Sequence, residues 1–246
     1  MIKLESVEKL YAPGRAALRG VSLDIDEGNT VALLGPSGCG KTTTLKLINR
    51  LVKPSAGRVM VDGRDVATLD VVKLRRGIGY VVQEAGLFPH MTATANVETV
   101  PRLLGWPPKR CLARVHELFA LMDLDFEELG GRYPSQLSGG QRQRIGLARA
   151  LAADPPIVLM DEPFGALDPL TRRRLQVEFL ALQRRLQKTV VLVTHDVEEA
   201  CLLADRVAVL ANGELVQLGR PEEIRANPAS DFIAEFLGLE EHGPSQ

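Results

Sequence analysis

A glycine-rich segment between a strand pattern and a helix pattern constrains the fold of this chain more than any other feature. Residues 35–42 read Gly-Pro-Ser-Gly-Cys-Gly-Lys-Thr; they follow the apolar run Thr30–Leu34 and lead into a helical pattern over Thr42–Leu51. Glycines let successive backbone N–H groups turn inward around a phosphate, and the N-terminus of the following helix adds partial positive charge. The segment matches the G-x-x-x-x-G-K-[ST] phosphate-binding pattern. It therefore predicts a strand–loop–helix unit that binds a nucleotide.

The residues of this phosphate loop have different expected roles. Lys41 is expected to reach the β- and γ-phosphates, and the Thr42 hydroxyl is expected to ligate Mg²⁺. Cys39 is expected to matter for its small size, without chemistry of its own. The residues predicted to contact the nucleotide here are Gly35, Pro36, Ser37, Gly38, Cys39, Gly40, Lys41, Thr42 and Thr43.

Short runs of aliphatic residues recur along the chain and predict a buried sheet. Near-continuous apolar runs are typical of strands that are covered on both faces of a parallel sheet. Helical patterns lie between them, so strand and helix alternate. This predicts an α/β fold with a mostly parallel central sheet. The predicted strands are Thr30–Leu34, Ile78–Val82, Ile157–Met160, Val190–Thr194 and Arg206–Leu210.

Two regions depart from this alternation. Ile2–Asp26 predicts two strands joined by a turn at Ala12-Pro13-Gly14, and so an antiparallel β side sheet. Residues 84–153 predict helices near Val97–Leu104, Lys109–Met122 and Gly140–Ala153, without a convincing strand. We therefore expect a single domain over residues 1–246, with a catalytic core at approximately 1–83 and 154–238, a helical subdomain at approximately 84–153 and a frayed tail at 239–246.

Composition and charge exclude several classes of protein. The net charge of −1 gives no bulk field that would favour nucleic acid. Three widely spaced cysteines indicate a reduced cytosolic chain rather than a disulfide framework. The N-terminal residues do not resemble a signal peptide, and no apolar run approaches the ~18 residues that a membrane-spanning helix needs. Any role at a membrane is therefore expected to depend on a partner.

Two acidic residues end the predicted strand Ile157–Met160. The sheet would deliver Asp161 to the same edge as the phosphate loop, where it can hold the shell of a Mg²⁺ ion. Glu162, one residue further, is placed to polarise an attacking water as a general base. A strand followed by ordinary polar loop residues is the alternative. The upstream phosphate loop favours the catalytic interpretation.

Further motifs follow in the order found in ATP-binding cassette ATPases, and the chain resembles that family over essentially its whole length. The resemblance implies the family's fold, a P-loop ATPase core with a helical subdomain, and an enzyme that uses ATP and Mg²⁺. The matching segments are Gln83 after a strand (Q-loop), Leu137-Ser138-Gly139-Gly140-Gln141 (signature), Ala166-Leu167-Asp168 (D-loop), His195 at a strand end (switch histidine) and Tyr11 (the aromatic under the adenine).

The resemblance also implies roles for these residues. Gln83 would offer its carbonyl to Mg²⁺ and its amide to the attacking water, and Asp168 would belong to the nucleotide site. His195 would contact the γ-phosphate, because ligands of α/β folds bind at the carboxyl ends of strands. For Tyr11, ordinary packing remains an alternative.

The signature segment can also be interpreted from its physical chemistry. Ser138-Gly139-Gly140 opens a predicted helix, so its N–H groups and the Ser138 hydroxyl can form a second anion site, although a simple helix cap would look the same. In the family this segment, with Gln141, faces the nucleotide held by a partner subunit, so two chains enclose two ATP molecules. The resemblance thus implies a second cassette subunit, expected to be an identical copy.

Three segments resemble more specifically the importers of glycine betaine, choline and related osmoprotectants: Leu45–Val52, Gly86–Trp106 and Phe164–Arg172. This implies transmembrane permease subunits, indirectly a substrate-binding protein, no nucleic acid, and a peripheral position at the cytoplasmic face of the inner membrane. In the family the second segment lines a groove for a permease helix. Leu87, Phe88 and Met91 could supply its apolar surface or could pack internally.

Two alternatives remain for the function. The same machinery could import another small polar solute, such as an amino acid, a polyamine or a sulfonate, or the chain could be a soluble cassette without a transport role. Several osmoprotectant cassettes carry a C-terminal regulatory extension, and this chain ends before one. We therefore expect no regulation by ionic strength through that device.

Overall fold

The structure is a computed structural model in which residues 1–12, 14–83 and 85–239 are described; Arg15 is described by its backbone. The strands are β1 (Ile2–Ala12), β2 (Arg15–Ile25), β3 (Thr30–Leu34), β4 (Ala56–Val61), β5 (Arg64–Asp65), β6 (Ile78–Val81), β7 (Ile157–Asp161), β8 (Thr189–Val193), β9 (Arg206–Ala211) and β10 (Glu214–Gly219). The helices are α1 (Lys41–Ile48), α2 (Val71–Arg76), α3 (Ala93–Leu103), α4 (Pro108–Leu121), α5 (Phe126–Leu129), α6 (Gly139–Leu151), α7 (Pro169–Leu186), α8 (Val197–Leu203), α9 (Pro221–Ala226) and α10 (Asp231–Phe236), with a 3₁₀ turn at Pro134–Gln136.

The chain divides into two compact units. The first unit contains Met1–Ala67 and the chain from Leu192 onward, and the second contains Thr68–Val191. Among the described residues, no helix has both the length and the apolar character needed to cross a membrane.

The first unit contains an antiparallel sheet in the order β2-β1-β4-β5. Along β1 the buried Ile2 and Leu4 flank the exposed Lys3, and Val7 is buried beyond a shift in register that follows Leu4. The predicted antiparallel side sheet is therefore confirmed. The sequence prediction missed β4 and β5, because Ala56–Val61 begins with small and charged residues rather than an apolar run. Pro13, in the predicted turn, lies outside the described residues.

The first unit also contains the strands that lead to the phosphate loop. β3 pairs in parallel with β9, and β10 pairs antiparallel with β9. All residues of β3 are buried, as its continuous apolar sequence predicts. Helices α8, α9 and α10 contribute Ala200, Ile224 and Ile233 to a buried cluster on Leu34 and Val209.

The second unit contains the parallel pair β6–β7 and the helices α2 to α7. Helix α6 approaches β6 closely: a Cβ atom at Gly79 would lie 2.5 Å from the Ala150 carbonyl oxygen. Between Ala85 and Ala153 the described residues contain no strand, as the sequence predicts. Helix α3 begins at Ala93, four residues before its predicted start, because the Thr92 hydroxyl caps it by accepting a hydrogen bond from the Ala95 N–H.

The α/β class with parallel strands, an antiparallel side sheet and a helical segment is confirmed. The predicted strands agree with β3, β6, β7, β8 and β9 to within a residue at either end. Of the predicted tail at 239–246, residues 240–246 lie outside the described part of the chain. The division into core and subdomain stays a prediction.

Candidate nucleotide site

The phosphate loop turns sharply at three glycines, Gly35, Gly38 and Gly40, with φ values of 148°, 81° and 110°. A Cβ atom at Gly35 would lie 2.1 Å from the Leu210 carbonyl oxygen, and one at Gly40 would lie 2.5 Å from Leu18. Both positions therefore require glycine for close approach as well as for conformation. A Cβ atom at Gly38 would meet nothing within 4 Å, so this side of the loop faces open space.

Lys41, the first residue of α1, is buried with its ammonium group inside the loop. Its Nζ donates hydrogen bonds to the carbonyl oxygens of Gly35 (2.7 Å) and Pro36 (2.9 Å). The Cys39 Sγ atom lies 3.9 Å from the same Nζ. Burial raises the pKa of the Cys39 thiol above its usual range, and the Lys41 charge only partly opposes this. Cys39 is therefore a neutral, small residue of the loop wall near neutral pH.

The phosphate loop fits a polyphosphate and the site's oxygen donors fit Mg²⁺. The Lys41 ammonium is bound to two carbonyl oxygens of the loop, and the loop is open at Gly38. A phosphate carries more negative charge than a carbonyl oxygen and is therefore a stronger partner for this cation. Thr42 is half-buried at the second position of α1, and its hydroxyl is the kind of hard oxygen ligand that Mg²⁺ prefers.

Tyr11 and Thr43 are brought together by the first unit. The Tyr11 hydroxyl lies 3.5 Å from Thr43 Oγ1, and the Lys9 ammonium lies 5.1 Å from the centre of the Tyr11 ring. The Tyr11 side chain is about half exposed, at 52%. An exposed ring attached to the first turn of α1 can receive a flat apolar group such as a purine.

His195 lies beside the end of β3. The backbone N–H of Thr194 donates to the Leu33 carbonyl oxygen at 3.2 Å, so the exposed His195 follows a residue that is hydrogen-bonded to the strand leading into the phosphate loop. The Thr194 hydroxyl donates to Glu199 Oε2 (3.2 Å) and accepts from the Asp196 N–H (3.0 Å). Glu199 is buried and Asp196 is partly buried. Neither contact was predicted from the sequence, although Thr194 and Asp196 flank His195 directly.

The two carboxylates of the second unit stand where β7 ends. Asp161 is the last residue of the strand, and Glu162 has a φ of 45°. The Gly165 N–H donates to the Glu162 carbonyl oxygen at 3.2 Å, which closes a tight turn. A left-handed conformation at a residue with a side chain is unfavourable and is often found at functional sites.

The signature segment caps helix α6. Ser138 Oγ accepts a hydrogen bond from the Gln141 N–H (3.2 Å), and Gln141 Oε1 accepts one from the Ser138 N–H (2.8 Å). This reciprocal pair confirms that Ser138 is a helix cap, the interpretation that the sequence left open beside anion binding. Ser138 and Gly139 are exposed, and Gly140 and Gln141 are partly exposed.

Asp168 lies close to this segment within the second unit. Its carboxylate accepts a hydrogen bond from the Thr171 N–H (3.0 Å), which caps α7 and holds the pKa of Asp168 below its usual range. A Cβ atom at Gly140 would lie 3.0 Å from the Thr171 side chain. A cleft of about 590 Å³ opens here; its lining includes Ser138, Gly140, Gln141, Leu170 and Thr171.

Gln83 follows β6 in an exposed turn. Downstream, Phe88 lines a groove of about 300 Å³ together with Val100, Tyr80 and Arg149, whereas Leu87 and Met91 are partly buried. Arg149 and Asn96, which hold this region by hydrogen bonds, were not identified from the sequence. In the sequence, Arg149 could have been found as a charged residue among the apolar residues of a helix face.

Each unit thus gathers its own set of predicted residues. Tyr11, residues 35–43 and His195 belong to the first unit. Gln83, residues 138–141, Asp161, Glu162 and Asp168 belong to the second.

Comparison with known proteins finds a matching family and several similar proteins. A family model described as ABC transporter matches residues 18–165. The glycine betaine/carnitine/choline transport ATP-binding protein OpuCA of Bacillus subtilis (strain 168) is 56% identical over 240 residues, which are 98% of this chain and 63% of that protein. The glycine betaine uptake system ATP-binding protein YehX of Escherichia coli (strain K12) is 48% identical over 243 residues, which are 99% of this chain and 78% of that protein.

A solved structure extends the comparison. The dimeric structure of a post-hydrolysis state of the ATP-binding cassette MJ0796 bound to ADP and Pi has a TM-score of 0.80 and 38% sequence identity, covering 90% of this chain and 99% of that one. The chain spans somewhat less than two thirds of the length of the OpuCA relative. The family model covers more than half of the chain. By sequence and by fold, the chain belongs to the ABC transporter family.

Proposed function

We propose that this chain is the ATP-hydrolysing subunit of an ABC importer that takes up an osmoprotectant such as glycine betaine or choline. The observation that carries the ATP-binding part of this proposal is the buried Lys41 ammonium within the glycine loop. The names of the relatives support the solute class, since both OpuCA and YehX are named for glycine betaine.

The catalytic roles follow from the chemistry of each group. Lys41 and the N–H groups of the loop bind the β- and γ-phosphates. Bound Mg²⁺ would neutralise phosphate charge, with oxygens from Thr42, Gln83 and Asp161 as its proposed ligands. Glu162 accepts a proton from the attacking water, and His195 and Gln83 orient the γ-phosphate and that water. Tyr11 packs on the adenine.

The second anion site is proposed to act in a partner subunit. Ser138, Gly139 and Gly140 present the N-terminus of α6 to an open cleft, and Leu170 beside them is 83% exposed. An exposed leucine next to a helix N-terminus suits a surface that another chain covers. The related cassette MJ0796 is dimeric in its solved structure. We infer a dimer of two such chains, with Asp168 at the same interface.

The remaining partners are transmembrane permease subunits and, through them, a substrate-binding protein. The groove beside Phe88 supports a peripheral position on the cytoplasmic face of the cell membrane, because its mixed apolar and cationic lining suits a short amphipathic helix. No nucleic acid is part of this proposal.

The hydrolytic part is tested with the cognate permease and binding protein in liposomes. Glu162→Gln should bind ATP normally and hydrolyse it about 10²–10⁴-fold more slowly, because a general base typically contributes that factor. Lys41→Ala should weaken nucleotide binding itself. Binding is measured with a fluorescent ATP analogue and hydrolysis by phosphate release. Near-normal turnover in Glu162→Gln would contradict the assigned base.

The same preparation tests the solute. Quaternary ammonium compounds should stimulate ATP hydrolysis by the wild-type complex, because a loaded binding protein must favour the closed cassette pair for coupling to occur. Amino acids, polyamines and sulfonates serve as the comparison panel. Stimulation by one of those classes alone would leave the ATPase proposal in place and remove the osmoprotectant.

A further inference from the structure

Two consecutive residues, Ala85 and Gly86, adopt the left-handed backbone conformation shortly after Gln83 in the chain. Ala85 has a φ of 63° and Gly86 a φ of 51°. The conformation is unfavourable for alanine, because its Cβ atom crowds the following carbonyl group. Ala85 is nevertheless buried, with 1% exposure. Contacts from elsewhere must therefore hold this segment in place.

Helix α6 supplies those contacts. Gly146 lets Ala85 approach the helix: a Cβ atom at Gly146 would lie 3.0 Å from Ala85 Cβ and 3.2 Å from Ala85 Cα. One turn further along, Arg149 donates from one guanidinium nitrogen to the Gly86 carbonyl oxygen (2.8 Å) and from the other to that of Ala85 (2.9 Å). Its guanidinium also lies 5.4 Å from the centre of the Phe88 ring.

The two hydrogen bonds from Arg149 are stronger than hydrogen bonds between neutral groups. Burial lowers the pKa of Arg149 from its usual value, yet a guanidinium keeps its charge in proteins. Hydrogen bonds from a charged donor are shorter and stronger than neutral ones. The planar fork of arginine presents a separate nitrogen to each of two adjacent carbonyl oxygens, and the compact ammonium of lysine lacks this fixed two-point geometry.

We infer that Arg149 is a positioning residue: its guanidinium latches the Ala85–Gly86 segment to α6, so that the Gln83 turn, the Phe88 groove and the signature helix move together. The inference rests on the proposed ATPase function for its kinetic consequence. Its structural consequence is independent of that function. The latch gives a physical link between a surface suited to the permease and two elements of the nucleotide site.

The kinetic test compares two substitutions at Arg149. Arg149→Met should lower kcat for ATP hydrolysis by roughly 10–10²-fold, because small displacements of positioning groups have effects of that size. KM for ATP should change by less than about twofold, since Arg149 makes none of the phosphate-loop contacts. Arg149→Lys keeps the charge but loses the planar fork, and should recover part of the lost rate.

Hydrogen–deuterium exchange of the nucleotide-free chain gives a second measurement. The amides of residues 86–92, apart from Pro89, which has none, should exchange at least about tenfold faster in Arg149→Met. The amides of α1 should stay protected, because only the latched segment opens. Gly146→Ala leaves Arg149 in place but crowds Ala85, and should accelerate exchange at the same amides.

Arg114→Met is the matched control. Arg114 also donates to two adjacent carbonyl oxygens, those of Leu151 (3.0 Å) and Ala152 (3.3 Å), but these acceptors lie at the end of α6 and not in the Ala85–Gly86 segment. This variant should leave both kcat and exchange at residues 86–92 near wild type. Unchanged exchange at these amides in Arg149→Met, or equal acceleration in Arg114→Met, would overturn the latch. Failure of the wild type to hydrolyse ATP would overturn the proposed function, and the exchange result would still decide the latch.

Discussion

Ser138 has one role that the structure shows and a second role that we propose. Its hydroxyl accepts a hydrogen bond from the Gln141 N–H and so caps α6. The same exposed hydroxyl is proposed to donate to a phosphate held by a partner chain. A hydroxyl can do both, because its oxygen accepts while its hydrogen remains available to donate.

A pair of substitutions separates these tasks. Ser138→Ala should lower the free energy of unfolding by about 0.5–2 kcal/mol, the usual cost of losing a cap. Ser138→Asp should keep the stability near wild type, because aspartate is a good cap, yet its negative charge should repel the phosphate and reduce ATPase activity by at least about tenfold. Urea unfolding and phosphate release measure the two effects. Full ATPase activity in Ser138→Asp would remove Ser138 from the phosphate site.

Among the elements, helix α3 organises the loop that precedes it. The buried Asn96 side chain accepts a hydrogen bond from the Phe88 N–H (2.8 Å), and its two amide N–H groups are shared among the carbonyl oxygens of Phe88, Met91 and Thr92 (3.2, 3.1 and 3.0 Å). One side chain thus replaces the regular backbone pairing that this loop lacks. Phe88 is presented to the groove in consequence.

Asn96→Ala should therefore lower the free energy of unfolding by about 1–3 kcal/mol, because it removes the side-chain partner of the Phe88 N–H and of the Met91 carbonyl oxygen in a part-buried loop. Thr99→Ala on the same helix is the control. The Thr99 hydroxyl only donates to the Ala95 carbonyl oxygen within the helix (3.0 Å), and alanine favours helices, so its loss should be worth less than about 0.5 kcal/mol. Chemical denaturation monitored by circular dichroism makes the comparison. Equal losses for both variants would show that Asn96 does not hold the loop.

The sequence predicted elements where local pattern and burial agree. β3, β7 and β8 are short, apolar and buried, so their positions followed directly from their residues. β10 was missed because Glu214–Gly219 alternates polar and apolar residues at an edge of the sheet, and α9 and α10 because six-residue helices show too little periodicity. The motifs pointed to candidate site residues, but not to the contacts around them. The partners of Arg149 lie more than sixty residues away in the chain, and only the fold brings them together.

At the scale of the whole molecule, each nucleotide site of the proposed dimer needs residues from two chains. The phosphate loop and the signature belong to different compact units. In the proposed dimer, the loop of one chain and the signature of the other enclose each nucleotide. ATPase rate per chain should then rise with protein concentration.

Complementation gives the sharper test. Lys41→Ala removes the phosphate cation, and Ser138→Arg blocks the signature, so each variant alone should be nearly inactive. In a mixed dimer one site would combine the intact loop of the Ser138→Arg chain with the intact signature of the Lys41→Ala chain. With random mixing of equal amounts, about half of the dimers are mixed and each has one good site, so roughly a quarter of the wild-type rate should return. A mixture as inactive as its components would contradict the shared site.

The internal hydrogen bonds of Lys41 have a consequence for nucleotide recognition. The ammonium has already left water in the structure, and the Gly35 and Pro36 carbonyl oxygens take the place of its hydration shell. An arriving phosphate thus exchanges one set of oxygens for another, instead of stripping a fully hydrated ion. Much of the desolvation cost falls on the folding of the chain rather than on the binding step. The loop is in this sense preorganised for a polyphosphate. Its affinity for the nucleotide depends on how much better phosphate oxygens bind the Lys41 ammonium than the Gly35 and Pro36 carbonyl oxygens do.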